Sequence, residues 1–197
     1  MHKMATALFE FVANFYQLLG WLLVLIISFD LLLPRGVIDL SAAVHIARVV
    51  QLAQVSDLLL KGFSIERVLQ LLGRFSILFL FVEENTFLTF ALLLVFALAE
   101  IIRYSYYLCK VISPLKHLRY TAFLGLYPLG FLLEVLIVQR SISPLLFAFH
   151  PTLVVLGRLH QIGGALALCY IYLSLLKHRK AEIDARRNLG VKTTKSH

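Results

Sequence analysis

Hydrophobic residues in this chain gather into long runs divided by short polar stretches. Six runs can be drawn, at about 5–29, 41–60, 67–82, 86–108, 119–138 and within 145–176. A helix needs roughly 20 residues to cross a hydrocarbon core, so these lengths read as membrane-spanning helices. The connections are short, which predicts antiparallel packing of neighbours. The second run is the weakest, because it holds His45, Arg48, Gln51, Gln54 and Asp57. An amphipathic helix lying on the membrane surface is its rival reading. The third run is short and carries Arg74; the sixth contains His150, Pro151, Arg158 and His160. The first is too long for a signal-peptide core and lacks an evident cleavage site, so it reads as a retained span. The expected fold class is all-α: a polytopic membrane helix bundle of six transmembrane helices over residues 1–176. Residues 177–197 form a basic tail, part helical and part disordered.

Composition agrees with a bilayer as solvent. Sixty per cent of the 197 residues are hydrophobic and 15% are charged, against roughly half and a quarter in a soluble domain. The net charge of +8 is explained by basic flanks on membrane spans. No nucleic-acid-binding motif accompanies it. With both termini cytosolic, thirteen Lys and Arg residues fall on the cytosolic side and only Arg35 and Arg140 on the other. Four more, Arg48, Arg74, Arg103 and Arg158, fall inside spans. Cys109 and Cys169 form no CxxC or Cys/His metal spacing and read as unpaired thiols.

Ionisable side chains at membrane depth cost about 2.5–3.5 kcal/mol each on insertion scales, so they face the bundle interior and mark a pairing or a site. Two clusters matter. In the fourth run Glu100, Arg103, Tyr104 and Tyr107 recur at i, i+3, i+4 and i+7 and share one helix face. An internal Glu–Arg pair with interfacial tyrosines explains them, and so does an active-site wall. In the fifth run Tyr127 and Glu134 lie seven residues, or two turns, apart, on one face and separated by about 10 Å along the axis. Side chains lean toward the helix N-terminus, so in a straight helix the two functional groups miss one another. Pro128 and Gly130 lie between them, and the distortion they allow is expected to help set the acid–base spacing. Spacing alone leaves this pair open between a structural and a catalytic role.

The stretch Pro114–Glu134, PLKHLRYTAFLGLYPLGFLLE, resembles the 3-hydroxyacyl-CoA dehydratase family of very-long-chain fatty acid elongation, also called protein tyrosine phosphatase-like. Arg119-Tyr120-Thr121, Leu126-Tyr127-Pro128, Gly130 and Glu134 match the family's RYT…LYPxG…E pattern. The segment from Glu100 to Tyr107 is similar to its EIIRYxxY segment, Gln70…Arg74 to its Q-x-x-x-R, and Gly20-Trp21 to its early G-W. The chain departs from the family at Phe96, where Trp is common, and at Ser56-Asp57, where a Glu is common. Neither cysteine is followed by the phosphate loop and Arg that a cysteine phosphatase needs.

The resemblance implies a lyase that removes water from 3-hydroxyacyl-CoA to leave trans-2-enoyl-CoA, in the endoplasmic reticulum membrane. It implies Tyr127 and Glu134 as the catalytic pair; Glu100, Arg103 and Tyr104, from their shared face and depth, and Arg119 and Gly130 are expected to support them or bind substrate. The chemistry needs a base near C2, an acid near the leaving oxygen and donors to the thioester oxygen. It calls for no metal, nucleotide or redox cofactor. Which of Tyr127 and Glu134 is the base stays open at this point. Implied partners are the acyl-CoA substrate, membrane lipids and other elongation-cycle enzymes, with no nucleic acid. The basic loop of Lys110, Lys116, His117 and Arg119 is suited to CoA phosphates, though a plain topology signal also accounts for it. The rival functions are a non-catalytic membrane scaffold of the same family and a small lipid carrier or transporter. Against the latter, no inverted repeat is present.

Overall fold

The computed structural model describes residues 2–30, 40–56, 58, 62–82, 86–109, 112–142 and 151–194. Among these, the chain forms six α-helices and one π-helical turn. They are α1 (His2–Asp30), α2 (Leu40–Ala53), α3 (Ile65–Ser76) with the π turn Ile77–Phe81 continuing it, α4 (Phe87–Leu108), α5 (Ser113–Ser141) and α6 (Pro151–Thr194). No strand occurs among the described residues. Four stretches are long and apolar enough to cross a membrane: Ala7–Asp30, Phe87–Leu108, Pro114–Ser141 and Pro151–Lys177. The protein is a polytopic, all-helical membrane bundle, as its hydropathy predicts.

The six helices correspond to the six apolar runs, but α2 and α3 are shorter than the runs that predict them. The α-helical parts, at 14 and 12 residues, rise only about 20 Å, less than a hydrocarbon core of about 30 Å, and the π turn carries α3 on to Phe81. The reason lies in local sequence. Gln54 takes a turn after α2, and Gly62, at φ 78°, adopts the left-handed conformation that glycine alone reaches cheaply. Ser64 then caps α3, its hydroxyl accepting the Arg67 N–H at 3.3 Å. Asp57 lies outside the described residues. At the far end of α3 the π turn closes with the Val82 N–H on the Ile77 carbonyl. The helix α6 runs without interruption past Lys177 into the basic tail as far as Thr194, the last described residue.

Packing closes the helices into a ring. Helix α4 lies between α1 and α5, α2 packs on α1, α6 on α5, and α3 on both α2 and α6. The apolar core is thickest between α1, α2 and α4, where Trp21, Val24, Val44, Ala47, Leu92 and Leu93 are fully or almost fully buried. The outer faces of α1 and α6 expose Phe9, Phe11, Leu23, Leu159, Ile162 and Leu166, as lipid-facing helices do. Helices α3 and α4 are consecutive in sequence yet are not a closely packed pair. They meet through polar side chains inside the ring, and the candidate site lies there.

Candidate active site

The face of α4 that carries Glu100, Arg103, Tyr104 and Tyr107 turns into the ring. Glu100 and Tyr104 are wholly buried. One Glu100 oxygen pairs with Arg74 of α3. The other accepts from Arg103 Nη2 at 2.7 Å and from Gln54 Nε2 at 2.9 Å. Two guanidinium groups and an amide therefore surround one carboxylate. A buried charge is tolerable when it is paired and hydrogen-bonded in this way. Arg74 also stacks over the Phe96 ring, 5.1 Å from its centroid, where a flat guanidinium is well suited to an aromatic face.

This network reaches Tyr127. Arg103 donates from Nη1 to Gln70 Oε1 at 3.1 Å. Gln70 and Arg74 are four residues apart on α3 and so share its inward face. With its carbonyl oxygen held by Arg103, Gln70 presents Nε2 to α5 and donates to the Tyr127 hydroxyl oxygen at 2.7 Å. The phenol oxygen is thus an acceptor, and its own proton is left to donate. The Tyr127 ring is braced by Phe123, 4.9 Å away between centroids.

Glu134 follows two turns further along α5, which stays helical through Pro128. Among the described residues no hydrogen bond joins Tyr127 to Glu134. Glu134 instead meets α6, with Oε2 3.2 Å from His160 Nε2. The missed contact expected from helix geometry is what the structure has: an unbroken helix keeps the groups apart, and each takes a partner from a different neighbour.

Two cavities flank the pair. The larger, of about 290 Å³, is lined by Arg67, Gln70, Arg103, Tyr107, Arg119, Tyr120 and Tyr127, with Glu66 and Ser174. The smaller, of about 80 Å³, is lined mainly by apolar groups, including Leu69, Val95, Phe96, Leu126 and Phe131, together with Gly130 and Glu134. Tyr127, Gln70 and Ile171 line both. Tyr127 therefore stands where a polar space and an apolar space meet, with Glu134 on the apolar side. A Cβ on Gly130 would sit 3.4 Å from the Val95 side chain, an ordinary contact, so Gly130 faces α4 without being required by the space there.

Arg119 lies at the first turns of α5 and lines the larger cavity. It donates to the Tyr107 hydroxyl at 3.3 Å and lies 4.8 and 4.9 Å from the Tyr106 and Tyr107 ring centroids. Of the site residues singled out in the sequence, Glu100, Arg103, Tyr104, Arg119 and Tyr127 thus lie in or beside the ring's polar interior, and Gly130 and Glu134 line the apolar cavity. Of the basic loop, Lys110 lies outside the described residues, and His117 is exposed and bonds Thr121. Both cysteines are free and exposed. Three residues were missed as site members. Gln70 and Arg74 had a signal, their i, i+4 spacing in a short polar helix. His160 had none beyond being ionisable in an apolar run. Arg48 donates to the Leu78 carbonyl, and Arg158, exposed, donates to Gln161.

Residues 46–185 match the family described as protein tyrosine phosphatase-like protein, PTPLA. No curated protein and no solved structure matches the chain.

Proposed function

Because the chain belongs to the protein tyrosine phosphatase-like (PTPLA) family, we propose that it is a membrane-embedded 3-hydroxyacyl-CoA dehydratase acting in very-long-chain fatty acid elongation. In the reaction a base removes a proton from C2, the C2–H electron pair becomes the C2=C3 bond, and the C3–O bond breaks. The leaving hydroxyl takes a proton and departs as water. Glu134 is the base and Tyr127 the donor to the leaving oxygen. The observation that carries this division is the hydrogen bond from Gln70 to the Tyr127 oxygen at 2.7 Å, which leaves the phenolic proton available. Positioned proton transfer of this kind is worth about 10²–10⁴ in rate.

The two cavities give the substrate a direction. Arg67, Arg103 and Arg119 line the larger one and suit the phosphates of the CoA end. The apolar cavity beside Glu134 suits the acyl chain, which continues between the helices toward lipid. The reacting carbons then lie at the junction, bridging the gap between Tyr127 and Glu134. The proposal places the enzyme in the endoplasmic reticulum membrane with cytosolic termini. It also has α2 and α3 completing the membrane domain and other elongation enzymes as neighbours.

The test is direct. Protein purified in detergent is given 3-hydroxyacyl-CoA, and formation of enoyl-CoA is followed. Turnover by the wild type with loss in Tyr127→Phe, while that variant stays folded, is expected. A folded Tyr127→Phe variant with wild-type turnover would overturn the role of Tyr127, and an inert wild type would overturn the reading itself.

A further inference from the structure

Glu134 has one side-chain partner among the described residues, and that partner is itself held in place. His160 Nε2 faces Glu134 Oε2 at 3.2 Å, and on the other side of the ring Nδ1 meets Ser76 Oγ at 2.7 Å. Ser76 is the last residue of α3 and donates its proton to the Gly73 carbonyl at 2.9 Å. With that proton engaged, the Ser76 oxygen can only accept from His160, so Nδ1 carries a hydrogen. A hydrogen bond at Nε2 then needs one proton between the two groups. Either an imidazolium faces a carboxylate, or an imidazole faces a carboxylic acid. The carboxylate form is the one a base requires.

The fold is arranged to bring this histidine home. Gly157, His160 and Gly164 fall at i, i+3 and i+7 and share one face of α6. A Cβ on Gly157 would lie 2.5 Å from the Ile142 side chain, and one on Gly164 would lie 2.8 Å from the Phe131 ring. A side chain at either position would force Ile142 or Phe131 to shift, so the two glycines favour the close approach of α6 to α5 at which the imidazole between them reaches Glu134. Phe81, at the end of the π turn, flanks the ring with centroids 6.1 Å apart. The His160 side chain is only 5% exposed. Glu134 lines the apolar cavity, whereas His160 and Ser76 line neither cavity. They stand behind the carboxylate, away from the space the substrate takes.

We infer that His160, oriented by Ser76, is a positioning residue that holds Glu134 as a carboxylate and aims it, leaving Oε1 for the C2 proton. The catalytic part of this and the carboxylate form rest on the dehydratase reading; the Glu134–His160 contact does not. A polar partner that fixes and charges a reacting group is commonly worth a large factor in turnover and little in substrate binding. Ser76 is not a nucleophile in this arrangement, because its hydroxyl points to a backbone carbonyl of its own helix and away from both cavities.

The experiment has two arms, applied to wild type, His160→Leu, His160→Gln and Ser76→Ala in detergent. In the first, turnover of 3-hydroxyacyl-CoA is measured. His160→Leu lowers kcat about 100-fold with KM little changed. His160→Gln, which restores an N–H near the Nε2 position, recovers to within about tenfold of wild type, and Ser76→Ala lies between the two. In the second, no substrate is used. A hydrophobic carbodiimide, whose nitrogen takes the proton of a carboxylic acid while the carboxyl oxygen adds to its central carbon, is added, and modification of the Glu134 peptide is timed by mass spectrometry. Labelling of Glu134 is about tenfold faster in His160→Leu than in wild type and is slowed again in His160→Gln. Equal Glu134 labelling in wild type and His160→Leu overturns the claim that His160 holds Glu134 as a carboxylate. Unchanged kcat in His160→Leu, or a Gln variant as impaired as the Leu variant, overturns the positioning role. An inert wild type whose Glu134 labelling still responds to His160 sinks the dehydratase reading and leaves the pairing standing.

Discussion

Two glutamates lie inside the helix ring on neighbouring helices, Glu100 on α4 and Glu134 on α5, and they differ in how many of their oxygens are already taken. Glu100 is wholly buried and bonded at both oxygens, to Arg74, Arg103 and Gln54. Glu134 keeps 13% exposure, uses one oxygen for His160 and lines an apolar cavity. The first is a keystone: two cations from different helices converge on it, and removing it leaves them unpaired. The second has an unfilled side. Helical spacing and hydropathy alone rank them alike, since each is a Glu in an apolar run near tyrosines. The count of occupied oxygens separates a group committed to structure from one able to take a proton.

Substitution can break or sharpen this contrast. The largest expected effect is in Glu134→Gln, which keeps a hydrogen-bonding partner for His160 but cannot act as a base. Turnover falls about a thousandfold, with the thermal midpoint in detergent unchanged. In Glu100→Gln the pattern reverses. Stability drops by about 3–5 kcal/mol, because two guanidinium groups lose their countercharge at depth, and the thermal midpoint falls before any kinetic defect can be isolated. Were Glu134→Gln to unfold the protein while Glu100→Gln melted normally, the contrast would be inverted. A smaller effect is expected at the bridge between the two regions. Gln70→Leu removes the hydrogen bond that orients Tyr127 and lowers kcat by about fivefold to tenfold. No change in kcat there would detach the Glu100 network from the reacting tyrosine. Smallest is Arg119→Ala, read as a KM for acyl-CoA raised a few-fold at low salt and converging on wild type as ionic strength rises. A salt-independent defect would mean that Arg119 acts through its tyrosine stacking, not through charge.

Much of the fold is legible in the hydropathy of the chain. The runs that became α1, α4, α5 and α6 are long and apolar, so their placement follows from backbone polarity in a medium without water. The limits of α2 and α3 were less legible. Their apolar runs continue across Gln54 and into the π turn, and the breaks depend on Gly62 and Ser64, which hydropathy does not weigh. The face shared by Glu100, Arg103 and Tyr104 follows from helical periodicity, and so does the separation of Tyr127 from Glu134. Periodicity says which residues of one helix point together, and nothing about which helix they meet.

The sequence by itself determined an all-helical membrane protein, and its RYT…LYPLG…E pattern marked Tyr127 and Glu134 as the residues to watch. Only the tertiary structure decided what each of them touches. Gln70 lies 57 positions before Tyr127, and His160 lies 26 positions after Glu134. The physical reason is that these partners are chosen by ring closure. Helix α3 packs between α2 and α6, and glycines on α6 let His160 reach across to α5. That choice depends on how surfaces from distant parts of the chain fit together, and the period of a single helix carries no record of it.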